Sequence, residues 1–453
     1  MLFISEEEEK QSIIRRKKKA MGSLVHVKEA TVITPSDQTP SSVLSLSALD
    51  SQLFLRFTIE YLLVYPPVSD PEYSLSGRLK SALSRALVPY FPFSGRVREK
   101  PDGGGGLEVN CRGQGALFLE AVSDILTCLD FQKPPRHVTS WRKLLSLHVI
   151  DVLAGAPPLV VQLTWLRDGG AALAVGVNHC VSDGIGSAEF LTLFAELSKD
   201  SLSQTELKRK HLWDRQLLMP SPIRDSLSHP EFNRVPDLCG FVNRFNAERL
   251  VPTSVVFERQ KLNELKKLAS RLGEFNSKHT SFEVLSAHVW RSWARSLNLP
   301  SNQVLKLLFS VNIRDRVKPS LPSGFYGNAF VVGCAQTTVK DLTEKGLSYA
   351  TMLVKQAKER VGDEYVRSVV EAVSKERASP DSVGVLILSQ WSRLGLEKLD
   401  FGLGKPVHVG SVCCDRYCLL LPIPEQNDAV KVMVAVPSSS VDTYENLVTS
   451  PNA

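Results

Sequence analysis

The 453-residue sequence has no run approaching the roughly 20 uninterrupted apolar residues of a bilayer-spanning helix, so no membrane span is expected. The first twenty residues, "MLFISEEEEKQSIIRRKKKA", carry an acidic run and then a basic one where a secretory signal would have an apolar segment. The four glutamates also argue against an organellar transit peptide. A Gly-x-Ser-x-Gly elbow is missing, which speaks against a serine nucleophile of the α/β-hydrolase type. So are a His-Glu-x-x-His pair and a dinucleotide fingerprint after a strand. "DFGLGKP" at 400–406 contains Asp-Phe-Gly, but no His-Arg-Asp loop precedes it and a kinase is excluded. Neither sign of charge dominates: 54 basic residues against 48 acidic give +6, spread along the chain. That balance does not signal nucleic acid and suits a small anionic ligand, such as a phosphate-bearing one.

Eight cysteines (Cys111, Cys128, Cys180, Cys239, Cys334, Cys413, Cys414 and Cys418) are too scattered for a disulfide scaffold. "CCDRYC" has suggestive spacing, but no second Cys/His pair completes a tetrahedral zinc set, and no metal is expected. Reduced core cysteines in a cytosolic protein are the better reading.

What is present reads as soluble and globular, with 43% apolar and 23% charged residues, enough for a substantial core. The length suits two large units sharing an interface. Residues 1–20 read as a disordered extension, with Met21 of "MGSLVHVKEATVITP" a natural start and "RRKKK" a weaker nuclear address. "VHVKEATVI" alternates as a strand, and "SLSALDSQ" opens as a helix with a polar start. Leu75, Leu79, Leu83 and Leu87 recur every four residues along one helix face, which Pro89 stops. "SGRVREK" and "LEVNCRG" are strands joined by the turn "PDGGGG", and "LVVQLTWL" and "AALAVGVNH" form a hairpin across "RDGG". The proline-rich stretch 199–250 reads as a crossover connector between units at 21–198 and 251–453. Beyond it, "GLSYATMLVKQAKERVGDEYVRSVVEAVSKE" reads as one long helical stretch, and "TSVVFE", "VLKLLFSVNIR", "VGVLILSQW" and "VKVMVAVP" as strands.

The informative stretch is "AVGVNHCVSDGIGSAEF", residues 174–190. An apolar strand ends on His179, Asp183 follows within a turn holding Gly184 and Gly186, and a helix begins. With nine histidines, a chance His-x-x-x-Asp match has odds of roughly one in three, so placement matters more than pattern. A side chain at such a break faces a cleft as readily as the core. The imidazole can act as a general base on an attacking hydroxyl or amine, or be a hydrogen-bonded histidine at a turn. Asp183 can orient the imidazole or pair with a cation and hold the turn.

"HCVSDG" and "DFGLGKP" together make the chain resemble plant BAHD acyltransferases. So do "LSALD", "LVPYFPFSGRV", "VQLTW", "SFEVLSAHVWR", "VNIRDRVKPSLPSGFYGNAF" and "ILSQWSRLGLEKLDFGLGKP", in the family's order from about residue 24 to 450. The resemblance implies an α/β fold of two chloramphenicol-acetyltransferase-like domains, with mixed β-sheets flanked by helices and an active-site channel at their interface. It implies a monomeric enzyme that moves an acyl group from acyl-CoA, a co-substrate and not a bound cofactor, to an alcohol or amine. His179 would be the base, with Asp183 turned away from it and paired with Arg314. Ser389 would face the oxyanion, which needs a donor, and Trp391 would line the pocket. Thr280, Ser281 and Asn312 are candidates for the CoA side, although Ser281 can be only a helix cap and Trp391 only core. Asp400, Gly402 and Gly404 would form a structural loop, where Leu403 replaces the family's tryptophan and puts the packing of that loop in doubt. The subgroup most resembled esterifies alcohols with hydroxycinnamoyl donors, long-chain alcohols and ω-hydroxy acids included. The competing reading is a non-catalytic relative that assists fatty-acyl elongation in wax synthesis.

Overall fold

The computed structural model describes residues 25–67, 72–147, 152–199, 213–220, 227–270, 279–413 and 417–450. The expected tail at 1–20, part of the crossover and Cys414 lie outside them. Two six-stranded mixed sheets dominate these residues. The first runs His26–Ile33, Ala116–Val122, Leu159–Trp165, Ala171–Asn178, Thr58–Tyr65, His408–Ser411. The second runs Phe330–Thr338, Val304–Asn312, Val385–Gln390, Cys418–Ile423, Gln426–Pro437, Leu250–Phe257. Ser42–Ser45, Leu107–Cys111 and Arg96–Glu99 form a small third sheet.

Leu159–Trp165 and Ala171–Asn178 are buried at every position, which is why they read as unbroken apolar runs. Their side chains share a core with Phe190, Leu191 and Phe194 of the helix Gly184–Ser198 and with Leu75, Leu79 and Leu83 of Glu72–Ala86. The second core is built around Trp290 and Trp293 of Ser281–Ser296, which packs on Arg259–Ser270, Gly346–Glu359 and Val441–Thr449.

Three features differ from the sequence expectation. "SLSALD" is a closed turn and not a helix: the Ser47 amide and hydroxyl donate to Asp50 Oδ2 at 3.0 and 2.6 Å, and the Asp50 amide to Ser47 Oγ at 3.1 Å. Short polar side chains here outcompete the helical backbone. The long stretch after 345 is two helices, Gly346–Glu359 and Asp363–Glu376, because Gly362 between them is extended at φ −119°, ψ −173°. Finally, His408–Ser411 returns to pair with Tyr61–Val64 of the first sheet. Residue 251 therefore separates two stretches of sequence but not two independent sheets. Trp391, Leu419, Leu421 and Met433 likewise join the first core, so the two halves meet along a shared apolar seam.

Candidate active site

His179 lies on that seam. Its amide donates to the Phe57 carbonyl at 2.8 Å, adding one rung beyond the Ala171–Asn178 strand. Asn178 then closes the turn, its Oδ1 accepting from the Cys180 amide at 3.0 Å and its carbonyl from Val181 at 3.1 Å. The imidazole sits between Phe57 of the first half (centroids 5.2 Å) and Phe330 of the second (5.6 Å). It is half-buried, and its Nδ1 is enclosed without a well-formed hydrogen bond. Burial holds its pKa below the ordinary imidazole range, against opposing pulls from its own backbone, Asp183, Asn328 and Asp50. A neutral imidazole with an open edge can take a proton at neutral pH.

Asp183 makes no bond to that ring. It caps the helix Gly184–Ser198, Oδ1 accepting from the Gly186 amide at 2.9 Å. Arg314 forks onto it, NH1 to Oδ2 at 2.9 Å and NH2 to Oδ1 at 3.0 Å, and the Ala329 amide donates to Oδ2 at 3.0 Å. Arg314 also donates to the Phe325 and Gly327 carbonyls at 3.0 and 3.3 Å. The loop it grips rests on the helix start, where a Cβ on Gly186 would fall 2.1 Å from the Tyr326 carbonyl.

Ser389 and Trp391 approach from the second sheet. Along Val385–Gln390, Leu386 and Leu388 enter the second core, which leaves Ser389 on the opposite face, half-buried. Trp391 continues into the first core against Tyr61, at 4.9 Å between centroids. No hydrogen bond joins Ser389 to His179. Thr280 and Asn312 line a cleft of about 400 Å³ with Phe282, Arg316, Lys358, Gln390 and Arg393, whereas Ser281 is not in its wall. Thr280 also forms a capping box: its Oγ1 accepts from the Glu283 amide at 3.3 Å, and Glu283 Oε2 from the Thr280 amide at 2.9 Å. Asn312 Oδ1 accepts from the Arg314 amide at 3.1 Å, tying the cleft to the Asp183 clamp. Thr280→Ala is therefore expected to lower unfolding stability by about 1 kcal/mol. Thermal unfolding checks this.

The loop at 400–404 is a carboxylate wrapped by backbone. Asp400 Oδ1 accepts from the amides of Gly402, Leu403 and Gly404 at 2.8, 3.1 and 2.9 Å. Gly402 and Gly404 sit at φ +87° and +79°, which glycine adopts without strain. Leu403 is buried in the first core and fills its site without a polar atom. Tyr65 donates to the Leu399 carbonyl at 3.0 Å, placing the loop beside the far end of Thr58–Tyr65. Thr58 pairs with Asn178, so seven residues at ~3.3 Å each separate the loop from the histidine by about 23 Å.

Three residues of the histidine's support went unassigned in the sequence reading. Asn328 donates to the His179 carbonyl at 2.6 Å, Asp50 Oδ1 accepts from the same amide at 2.8 Å, and Arg215 pairs with Asp50 at 3.0 Å. "LSALD" and "GFYGNAF" contain two of them, but nothing in those segments points at residue 179.

Among the described residues no group of three His, Cys, Asp or Glu is arranged to hold a metal, and no helix is long and apolar enough to cross a membrane. The Transferase family pattern matches residues 23–448. The chain is 32% identical to taxadien-5-alpha-ol O-acetyltransferase of Taxus chinensis, over 93% of this chain and 95% of that protein. It is 30% identical to fatty alcohol:caffeoyl-CoA acyltransferase of Arabidopsis thaliana, over 94% and 98%. Its fold is like that of vinorine synthase, with TM-score 0.71 at 21% identity over 92% and 96% of the two chains.

Proposed function

Since this chain belongs to the BAHD family of acyl-CoA-dependent acyltransferases, we propose that it moves an acyl group from an acyl-CoA thioester to an alcohol hydroxyl, with His179 as general base. The observation that carries this reading is a part-open imidazole of lowered pKa whose Nδ1 has no well-formed hydrogen bond, held between residues of both halves at the seam. In the proposed reaction His179 accepts the acceptor's hydroxyl proton as the oxygen bonds to the thioester carbon. The carbonyl oxygen gains the negative charge and Ser389 donates to it. As the carbonyl re-forms, the carbon–sulfur bond breaks, and the thiolate recovers the proton from His179. Asp183 and Arg314 hold the turn and take no proton.

We assign acyl-CoA to the cleft at Thr280 and Asn312, where Arg316, Arg393 and the Glu283-paired Lys358 outnumber Asp315 and favour a phosphate-bearing substrate, and where Gln390 neighbours Ser389. Ser281 would contribute only the first turn of the helix behind it. For the donor we favour hydroxycinnamoyl-CoA, and for the acceptor a long-chain or specialised-metabolite alcohol, in line with the caffeoyl-CoA and fatty alcohol of one relative's name. The acetyl group in another relative's name is the rival donor. We also take the protein to be a monomer and to be cytoplasmic, the latter consistent with the described cysteines forming no disulfide.

The test is the purified full chain with acetyl-, coumaroyl-, caffeoyl- and feruloyl-CoA, each offered a long-chain primary alcohol, an ω-hydroxy fatty acid or a terpenoid alcohol. Thiol release and ester mass are followed together. Acceptor-dependent thiol release fastest with a hydroxycinnamoyl donor is the expected result. Turnover with acetyl-CoA alone would remove the donor assignment and leave acyl transfer standing.

A further inference from the structure

We propose that Arg215, carried on the crossover between the two sheets, is a positioning residue that sets where the His179 imidazole stands; this rests on His179 being the base. Arg215 is 2% exposed and Asp50, its partner at 3.0 Å, is 0% exposed. Two charges so deep carry a large desolvation penalty, which apolar side chains of similar size would avoid. Fastening the crossover alone would not need them.

What the guanidinium adds is direction. Its NH2 donates to the Val181 carbonyl at 2.7 Å and its NH1 to the Trp213 carbonyl at 2.9 Å. Its Cζ stands over Trp213, 4.0 Å from the ring centroid, with Phe325 and Tyr326 each at 5.2 Å. Asp50 passes the constraint on: its Oδ1 accepts from the backbone and side-chain amides of Asn328 at 3.0 and 2.8 Å. The Asn328 side chain in turn donates to the His179 carbonyl at 2.6 Å. Arg215 therefore acts on both ends of the tripeptide His179–Val181, directly at Val181 and through Asp50 and Asn328 at His179.

Gly327 is a second, independent sign that the place is built for this group. A Cβ there would fall 2.3 Å from the Arg215 Cζ, so the absence of a side chain at 327 is what makes room for the guanidinium. The Arg314 fork grips the same turn from its other flank, at Asp183, two residues beyond Val181. The two arginines use different partners: Arg314 forks onto Asp183, whereas Arg215 sets one nitrogen against Asp50 and another on the Val181 carbonyl, two residues from His179. Displacement of a reacting group by about 1 Å can lower a rate about 10²-fold.

The experiment compares Arg215→Lys, Asn328→Ser and His179→Ala in the full chain, reading kcat, KM for acyl-CoA and the folded fraction by thermal unfolding. Lysine keeps a charge for Asp50 but cannot hold the Val181 and Trp213 carbonyls at the same time, and Asn328→Ser frees the His179 carbonyl while the buried charges stay paired. Each is expected to lower kcat per folded molecule ~10- to 100-fold, with KM for acyl-CoA within about twofold. Adding Arg215→Lys to His179→Ala should slow the residual reaction no further, because the arginine acts through the histidine. A lowered melting temperature with unchanged kcat per folded molecule, in whichever of the two folds, would overturn the proposal. Full turnover by His179→Ala would instead overturn the base assignment on which it stands.

Discussion

Replacing His179 with alanine is expected to lower kcat about 10²- to 10⁴-fold while leaving the fold and the KM for acyl-CoA largely intact. The range follows from what is lost. The thioester is already activated, and the cleft at Thr280 and Asn312 that we assign to acyl-CoA is untouched, so proton removal alone suffers. The fold should survive because the histidine's structural bonds are made by its backbone, the amide to Phe57 and the carbonyl from Asn328. Steady-state kinetics beside a thermal melt checks this, and a variant with near-native turnover would refute the base assignment.

The pH profile sharpens the same prediction. Burial favours the neutral form of His179 and lowers its pKa, so the base is ready at neutral pH. Activity should be level from neutrality upward and fall only on acidification below about pH 6.5, the ordinary imidazole value. A rate that instead climbed with pH from above neutrality would point to another base. Stability must be separated from this, because burial also pushes His288 to about 4 and His408 to about 3. Between about pH 6.5 and these lowered values the unfolded chain binds protons at both residues and the folded chain does not. Their contribution to stability is therefore complete above that pH and is lost on acidification. The acid limb of activity has to be expressed per folded molecule.

The stretches legible from sequence were those in which the chemistry is contiguous. "NHCVSDGIG" places His179, the Asp183 cap and the glycine turn within nine residues, and Asp400, Gly402, Leu403 and Gly404 close on one another locally. The Asp50, Asn328 and Arg215 network was not legible, because its members are brought together by the two sheets and by a proline-rich crossover without periodicity. His408–Ser411, four residues long, carries too little pattern to announce that it completes the first sheet. Thr280, a candidate for the CoA side, caps its helix while lining the cleft. A hydroxyl at a helix start looks the same in sequence in either role.

Removing one partner of the Asp183–Arg314 pair should be the most destabilising change near the site. The two side chains are 4% and 14% exposed, and an uncompensated charge left at such depth costs about 3–5 kcal/mol. Asp183→Ala should be the worse of the two, since it also removes the cap on Gly184–Ser198, worth about 1 kcal/mol, and strands a guanidinium. Arg314→Ala leaves a carboxylate that still accepts from the Gly186 and Ala329 amides. Asp183→Asn separates charge from cap, since the amide oxygen can accept from Gly186 while the charge that faces Arg314 is gone. Denaturant unfolding of the three variants should therefore rank Asp183→Ala as least stable. The double variant Asp183→Ala with Arg314→Ala should recover part of the loss, by about 0.5–3 kcal/mol relative to additivity, because neither charge is then left alone. Strict additivity would mean that the two residues are stabilised separately, by the backbone around each, and that the fork contributes nothing to holding the histidine turn.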